Sequence, residues 1–415
     1  MKHTVKRLFA LLLIALLLLP VVAGLTACST GGGDAVTLYV YNWGEYISDG
    51  SEGTLDVNEM FEVWYYETYG VKVEVNYSTY SSNESMYAKL SSGSVNYDVV
   101  VPSDYMIERM IAEDMLAELN FDNIPHIGNL HGDFFGEDAV YDYYDPDNKY
   151  AVPYMYGMIG IIYNTTMVAE DDPSLGSWQL MWDERHAGNI LQFNNSRDAF
   201  GTAQYFLGLD VNSDSEAEWR NALEKLQEQK PILQGYVMDE IFNKMENGSA
   251  AIAAYYAGDF LSMYENNEDL EFFYPAEGTN LYVDAMCIPK TSQNKEIAER
   301  YIDFMLTEEP AVANAEYTYY ASPNNAVRNN EAYKEYMDSI KEGGYELMYN
   351  TNMVFTSSYK HLDGEKLMML NELWEELKSD IEVGMPIYIL CGVILIVLIG
   401  GGTVLGVRKK IRDKY

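Results

Sequence analysis

The chain has 415 residues, with 27 basic and 64 acidic side chains and a formal net charge of −37. That sign repels nucleic-acid phosphate and anionic lipid headgroups and favours cationic partners. A hydrophobic content of 48% with 13% aromatics excludes a disordered acidic chain, so the polyanion folds around a sizeable core.

At the start, Lys2, Lys6 and Arg7 precede the apolar run Leu8 to Val22 and then Leu25-Thr26-Ala27-Cys28. A basic region, an apolar stretch and small residues before a cut make the pattern of an exported protein. The Leu-x-Ala-Cys tetrad resembles the bacterial lipobox. It implies a signal peptide over 1–27, a lipid thioether on Cys28 and a flexible, lipidated tether over 28–36, where Ser29-Thr30-Gly31-Gly32-Gly33 has no packing side chains.

The exposed body begins with Thr37 to Tyr41 as a strand, a helix from Val57 to Tyr69 with Val57, Met60, Phe61 and Trp64 on one stripe, and a strand at Val71 to Val75. Met86 to Leu90 reads as a helix, Tyr97 to Val101 as a buried strand and Met106 to Leu116 as a helix. A second set follows: strands at Gly157 to Tyr163, Ile190 to Phe193, Ala250 to Tyr256 and Leu281 to Ile288, with helices at Ala217 to Lys230, Lys295 to Leu306 and Gly364 to Ile381. Short buried strands alternating with helices predict a mostly parallel α/β sheet in two lobes, with a ligand between them at strand ends.

Pro386 to Val407 is a run of 22 residues without a charge, long enough to span ~30 Å of hydrocarbon as a transmembrane helix over 386–407. Arg408, Lys409, Lys410 and Arg412 follow, so 408–415 reads as a basic cytoplasmic tail. The two ends hold eight of the 27 basic groups and one acid, Asp413. The body therefore keeps 19 basic and 63 acidic groups, a net −44 outside the membrane.

Cysteines are few: Cys28, Cys287 and Cys391, of which Cys287 alone lies in the body, so no internal disulfide is expected. The five histidines show no metal-ligand spacing, and neither a metal nor a cofactor is expected. No G-x-S-x-G, G-x-x-x-x-G-K-[ST], H-E-x-x-H or G-x-G-x-x-G motif is present, which favours a binding protein over an enzyme. What recurs instead is aromatic rings beside carboxylates at strand ends: Asn42-Trp43-Gly44-Glu45-Tyr46, Pro102-Ser103-Asp104-Tyr105, Asn194-Asn195-Ser196-Arg197-Asp198, Tyr255-Tyr256-Ala257-Gly258-Asp259, and Tyr282-Val283-Asp284 within a strand. Carboxylates pair with ammonium groups, and ring faces attract the same groups while covering the methylenes between them, so the set suits an elongated cation.

The stretch Leu38-Tyr39-Val40-Tyr41-Asn42-Trp43-x-Glu45-Tyr46, the block Ser82-Asn83-Glu84-Ser85-Met86-Tyr87-Ala88-Lys89 and the segment Tyr97-Asp98-Val99-Val100-Val101-Pro102-Ser103 resemble the spermidine/putrescine-binding proteins of bacterial ABC importers. The resemblance runs from about Thr37 to about Ile381. It implies a two-lobed α/β periplasmic-binding-protein-like fold with a hinge and an inter-lobe cleft. Lobe one would comprise 37–151 with 284–328 and lobe two 152–283 with 329–385, the chain crossing near Val152, Val283 and Arg328. Trp43, Glu45, Tyr46, Ser103 and Tyr105 would face the ligand from lobe one. Asn195, Asp198, Tyr256, Asp259, Tyr282, Asp284 and Tyr320 would complete the site, with Asp198 and Asp284 on one terminal ammonium. The partners implied are a polyamine and a membrane permease with its own ATPase.

Spermidine-preferring relatives carry a carboxylate where this chain has Asn195, whereas Asp259 matches an acid of putrescine-preferring relatives. The resemblance thus leans toward putrescine or dual specificity. Two other classes stay open from sequence: an envelope enzyme acting on cationic or glycan substrates, and a surface receptor that senses ligand through its spanning helix.

Overall fold

The computed structural model describes residues 35–137 and 139–379. The signal segment with Cys28, the apolar run 386–407 and the basic tail lie outside the described residues. Among the described residues no helix is long and apolar enough to cross a membrane.

Local signals set the first lobe. The side chain of Asp56 accepts from the backbone N–H of Glu59 at 2.9 Å and starts the helix Val57–Tyr69, and Gly70, at φ 69°, ends it. Its buried stripe is Val57, Phe61 and Tyr65. A reciprocal Ser82–Ser85 capping box starts the helix Asn83–Ser91. β1 (Val36–Trp43) precedes these helices and β2 (Val73–Tyr80) lies between them in the chain, the two strands paired in parallel from Val36↔Val73 to Trp43↔Tyr80. β3 (Val99–Val100) flanks β1 on its other side, also in parallel.

The second lobe is built on β4 (Ala151–Asn164), β5 (Ile190–Phe193), β6 (Leu233–Val237), β7 (Ile252–Tyr256) and β8 (Leu270–Phe273). β9 (Thr279–Cys287) and the two-residue β10 (Thr356–Ser357) complete a sheet whose order is β2-β1-β3-β9-β4-β7-β5-β6, with β8 beside β4 and β10 beside β9. Two long strands join the lobes. The C-terminal end of β9 pairs with β3 at Val100↔Cys287, and β9 runs antiparallel along β4 from Ala151↔Cys287 to Met158↔Leu281. The far half of β4 then pairs with β7 and β8. Every residue of β9 is buried, as expected of a strand covered on both faces.

The sheet is mixed, which corrects the expectation of a mostly parallel one. β4 and β9 are antiparallel to each other and to their neighbours β7 and β3, a direction set by long-range pairing that the local alternation of strands and helices does not encode. Boundaries shift as well. The strand expected at Val71 to Val75 lies at Val73–Tyr80, continuing through polar residues that alternate outward, and β3 shrinks to two residues before Pro102. The terminal helix spans Gly364–Lys378 and packs on the helix Glu216–Gln229 through Leu370, Leu373 and Leu377 against Trp219, Leu223 and Leu226, a second small core. β6, with Gly235 at its centre, and the helices Ser196–Leu207, Glu240–Glu246 and Ala257–Asn266 add to the elements expected from the sequence.

Candidate functional site

The loops after β1, β3, β5 and β7 meet the middle of β9 at one inter-lobe cavity. Asp284, on β9 and 4% exposed, stands at its centre. One oxygen accepts from the Tyr46 hydroxyl at 2.7 Å, the other from the Ser103 hydroxyl at 2.6 Å. Burial pushes its carboxyl up to about 6 despite those two donors, and nearby Asp198 adds to the rise.

From lobe one, Trp43 lies against Tyr80 with ring centroids 4.7 Å apart and donates its indole N–H to the Val101 carbonyl at 2.9 Å. Tyr105 donates to Glu84 at 2.9 Å and accepts from Asn83, whose carbonyl oxygen in turn takes the Ser103 backbone N–H. Glu45 and Tyr319 have left-handed backbones, φ 51° and 61°. Each immediately precedes a ring that enters the cavity, and these rings, Tyr46 and Tyr320, meet edge to face at 4.9 Å and 90°. Left-handed non-glycine residues cost on the order of 1 kcal/mol and cluster where a side chain must be aimed.

From lobe two, Asn195 caps the helix Ser196–Leu207 by accepting the Asp198 N–H at 2.9 Å, and its amide N–H₂ donates to the Asp198 carboxylate at 2.7 Å. Asp198 also accepts from Tyr256 at 2.7 Å. Burial raises its carboxyl, with nearby Glu84 adding to the rise. Tyr256 packs edge to face on Tyr282 at 5.4 Å. Asp259, in the first turn of Ala257–Asn266, is pushed up to about 8 by burial, then by Asp239 and Glu45.

Two glycines admit the rings: a Cβ on Gly157 would stand 2.5 Å from the Tyr282 hydroxyl, and one on Gly258 would stand 2.3 Å from the Tyr320 ring.

Eleven of the twelve residues expected at the site line this cavity. Glu45 departs from that expectation: it lies on an outer groove shared with Asp239 and Asp259, where it accepts from the Tyr317 hydroxyl at 3.2 Å. Asn195 lines the cavity, but its amide is engaged by Asp198 at both ends.

Sequence reasoning missed Glu84, Asp239, Phe242, Asn280 and Tyr359, which also line the cavity. Glu84 stood inside the Ser82-to-Lys89 block and Asn280 falls two residues before Tyr282 on the same strand face, signals that were available. Asp239 and Phe242 belong to a short helical segment with no sequence pattern.

Three metal-ligating side chains also converge elsewhere: Asp172, Asp183 and His186 hold ligand atoms within 4.8 Å of one another, a grouping hidden in the histidine spacing. Arg185 bridges both carboxylates, to Asp172 at 2.9 Å and to Asp183, so their charge is already compensated.

Residues 59–342 match the model of the bacterial extracellular solute-binding protein family. The spermidine/putrescine-binding periplasmic protein of Salmonella typhimurium is 31% identical over 306 residues, 74% of this chain and 82% of its own length. A Listeria monocytogenes structure assigned to spermidine/putrescine ABC transport is 32% identical with a TM-score of 0.71, covering 83% of this chain and 99% of that one. The spermidine/putrescine ABC transporter substrate-binding protein of Streptococcus pneumoniae is 31% identical with a TM-score of 0.64 over the same shares.

Proposed function

The chain belongs to the bacterial extracellular solute-binding protein family, and from that premise we propose that it is the polyamine-binding subunit of an ABC importer, with no chemistry of its own. The observation that carries the reading is the composition of the cavity. Asp198, Asp259, Asp284 and Glu84 line it beside Trp43, Tyr46, Tyr256, Tyr282 and Tyr320, and among the described residues no lysine, arginine or histidine does. Buried carboxylates without a basic partner are costly unless a cation joins them, and rings on both lobes supply faces for ammonium groups and cover for methylenes. An elongated aliphatic amine with more than one charge meets both demands.

The family places the body outside the cytoplasm and the ligand's next stop at a permease. We add the finer arrangement. Cys28 carries lipid, 386–407 spans the membrane with the 408–415 tail inside, and the lobes divide as 37–151 with 284–328 and 152–283 with 329–385. The passage of β4 and β9 between the two halves of the sheet supports that division. Asp259 in the cavity supports putrescine as one ligand.

Calorimetric titration of the full-length protein in detergent with putrescine, spermidine and spermine tests the reading. Binding at micromolar or tighter Kd is expected for at least one of the three. Affinities no better than about millimolar for all three, on the order of 4 kcal/mol, would overturn it.

A further inference from the structure

Along β9, Asn280, Tyr282 and Asp284 are separated by Leu281 and Val283, so their side chains share one face of the strand. All three line the inter-lobe cavity. Tyr282 and Asp284 belong to the ring-and-acid set already described, whereas Asn280 has had no role. It is 2% exposed, and its amide oxygen is buried without a hydrogen-bond partner among the described residues. Its place in the fold does not require that amide, because its backbone is held in register opposite Ser357 of β10 and the next residue, Leu281, opposite Met158 of β4.

A buried acceptor left unpaired is unfavourable and marks a place where something else is meant to donate. The two ends of a side-chain amide exchange by a half turn, so the oxygen can face whichever donor enters the cavity.

Spacing gives the donor its identity. At roughly 3.3 Å per residue, Asn280 stands about 13 Å along the strand from Asp284, with the Tyr282 ring between them. A short diamine held by Asp284 and the neighbouring carboxylates leaves the Asn280 oxygen unpaired. A longer linear amine carries a further nitrogen past Tyr282, with its methylenes on the ring.

We propose that Asn280 is the inner anchor of a chain-length subsite, accepting an N–H from a nitrogen of a linear triamine or longer polyamine whose other end lies at Asp284. The subsite rests on the polyamine reading and adds to it a discrimination by length made by a neutral acceptor. A neutral oxygen suits this place because it satisfies a donor without adding a further negative charge to the carboxylates already in the cavity.

The test is calorimetric titration of putrescine and spermidine against the full-length wild type, Asn280→Leu and Asn280→Asp, each checked by thermal unfolding in the absence of ligand. Asn280→Leu, nearly the same shape without the acceptor, is expected to weaken spermidine about tenfold or more while putrescine changes less than about twofold. Asn280→Asp keeps an acceptor and is expected to hold spermidine as tightly as wild type or tighter. Equal losses for both amines in Asn280→Leu, no loss in either, or an Asn280→Asp variant as weak as Asn280→Leu would overturn the subsite while leaving polyamine binding in place. A wild type that binds neither amine overturns the underlying reading instead.

Discussion

Asp284 is held by two hydroxyls that are distant in sequence, Tyr46 and Ser103, and both are donors that favour its charged form. Asp284→Asn keeps the shape and loses the charge. Ligand affinity should fall by about 2 kcal/mol or more, the scale of an unmatched buried ammonium. Titration calorimetry with the tightest amine reads this directly, and an unchanged Kd would remove Asp284 from the binding set. Ser103→Ala removes one donor while leaving the carboxylate. It should cost less than Asp284→Asn, by roughly the 0.5–1.5 kcal/mol of a single hydrogen bond, again by calorimetry. The same reasoning explains why Asn195 is more than a neutral stand-in for an acid. Its amide both caps a helix and donates to Asp198, so it keeps that carboxylate in place and ready to accept.

At the scale of elements, the site is assembled from helix starts and one buried strand. The helices Asp104–Ala112, Ser196–Leu207 and Ala257–Asn266 begin at the cavity, and their N-terminal ends favour the nearby acids in ionised form. Gly258 lies in the first turn of the last of these, against the face of Tyr320. Gly258→Ala would raise helix propensity, yet it should push Tyr320 off Tyr46 and cost about 1–3 kcal/mol through overpacking. The expected outcome is an unchanged far-ultraviolet dichroism spectrum with a lower Tm and weaker amine binding. A Tm equal to or above wild type would show that the ring moves aside freely. An apolar stripe, as in Val57–Tyr69, and a short apolar run, as in Ile190–Phe193, were legible to the residue. Ala257–Asn266 was not, because the segment follows the β7 strand without a break and its ring-and-acid start reads as a site loop in the sequence.

At the scale of the molecule, acidity and ligand are linked. Burial pushes Asp284 up to about 6, Asp104 to about 7 and Asp259 to about 8, from an ordinary 3.8. The folded ligand-free protein therefore holds protons that the unfolded chain has already released. The stability these groups contribute is complete below about pH 4 and is lost as pH rises through their folded values, from about 6 to about 8. A bound ammonium compensates the ionised carboxylates of the cavity, so the rise in Tm on adding polyamine should be larger near pH 8.5 than near pH 5.5. Thermal scans with and without ligand at the two pH values check this, and a shift that is equal or larger at the acidic value contradicts it.

The sequence by itself determined what is written locally. The basic, apolar and cysteine-bearing start, the charge-free run near the end, the alternation of strands and helices, and the pairing of rings with acids can each be read within a few residues. Tertiary structure decided which of these meet. Asp284 reaches Tyr46 across 238 residues and Ser103 across 181 only because β9 runs antiparallel between β3 and β4. The direction and partners of such a strand are set by long-range pairing, to which local periodicity is blind. The same pairing turned Asn280 into a buried acceptor facing the cavity, and a left-handed turn at Glu45 sent that acid outward while its neighbour Tyr46 went in.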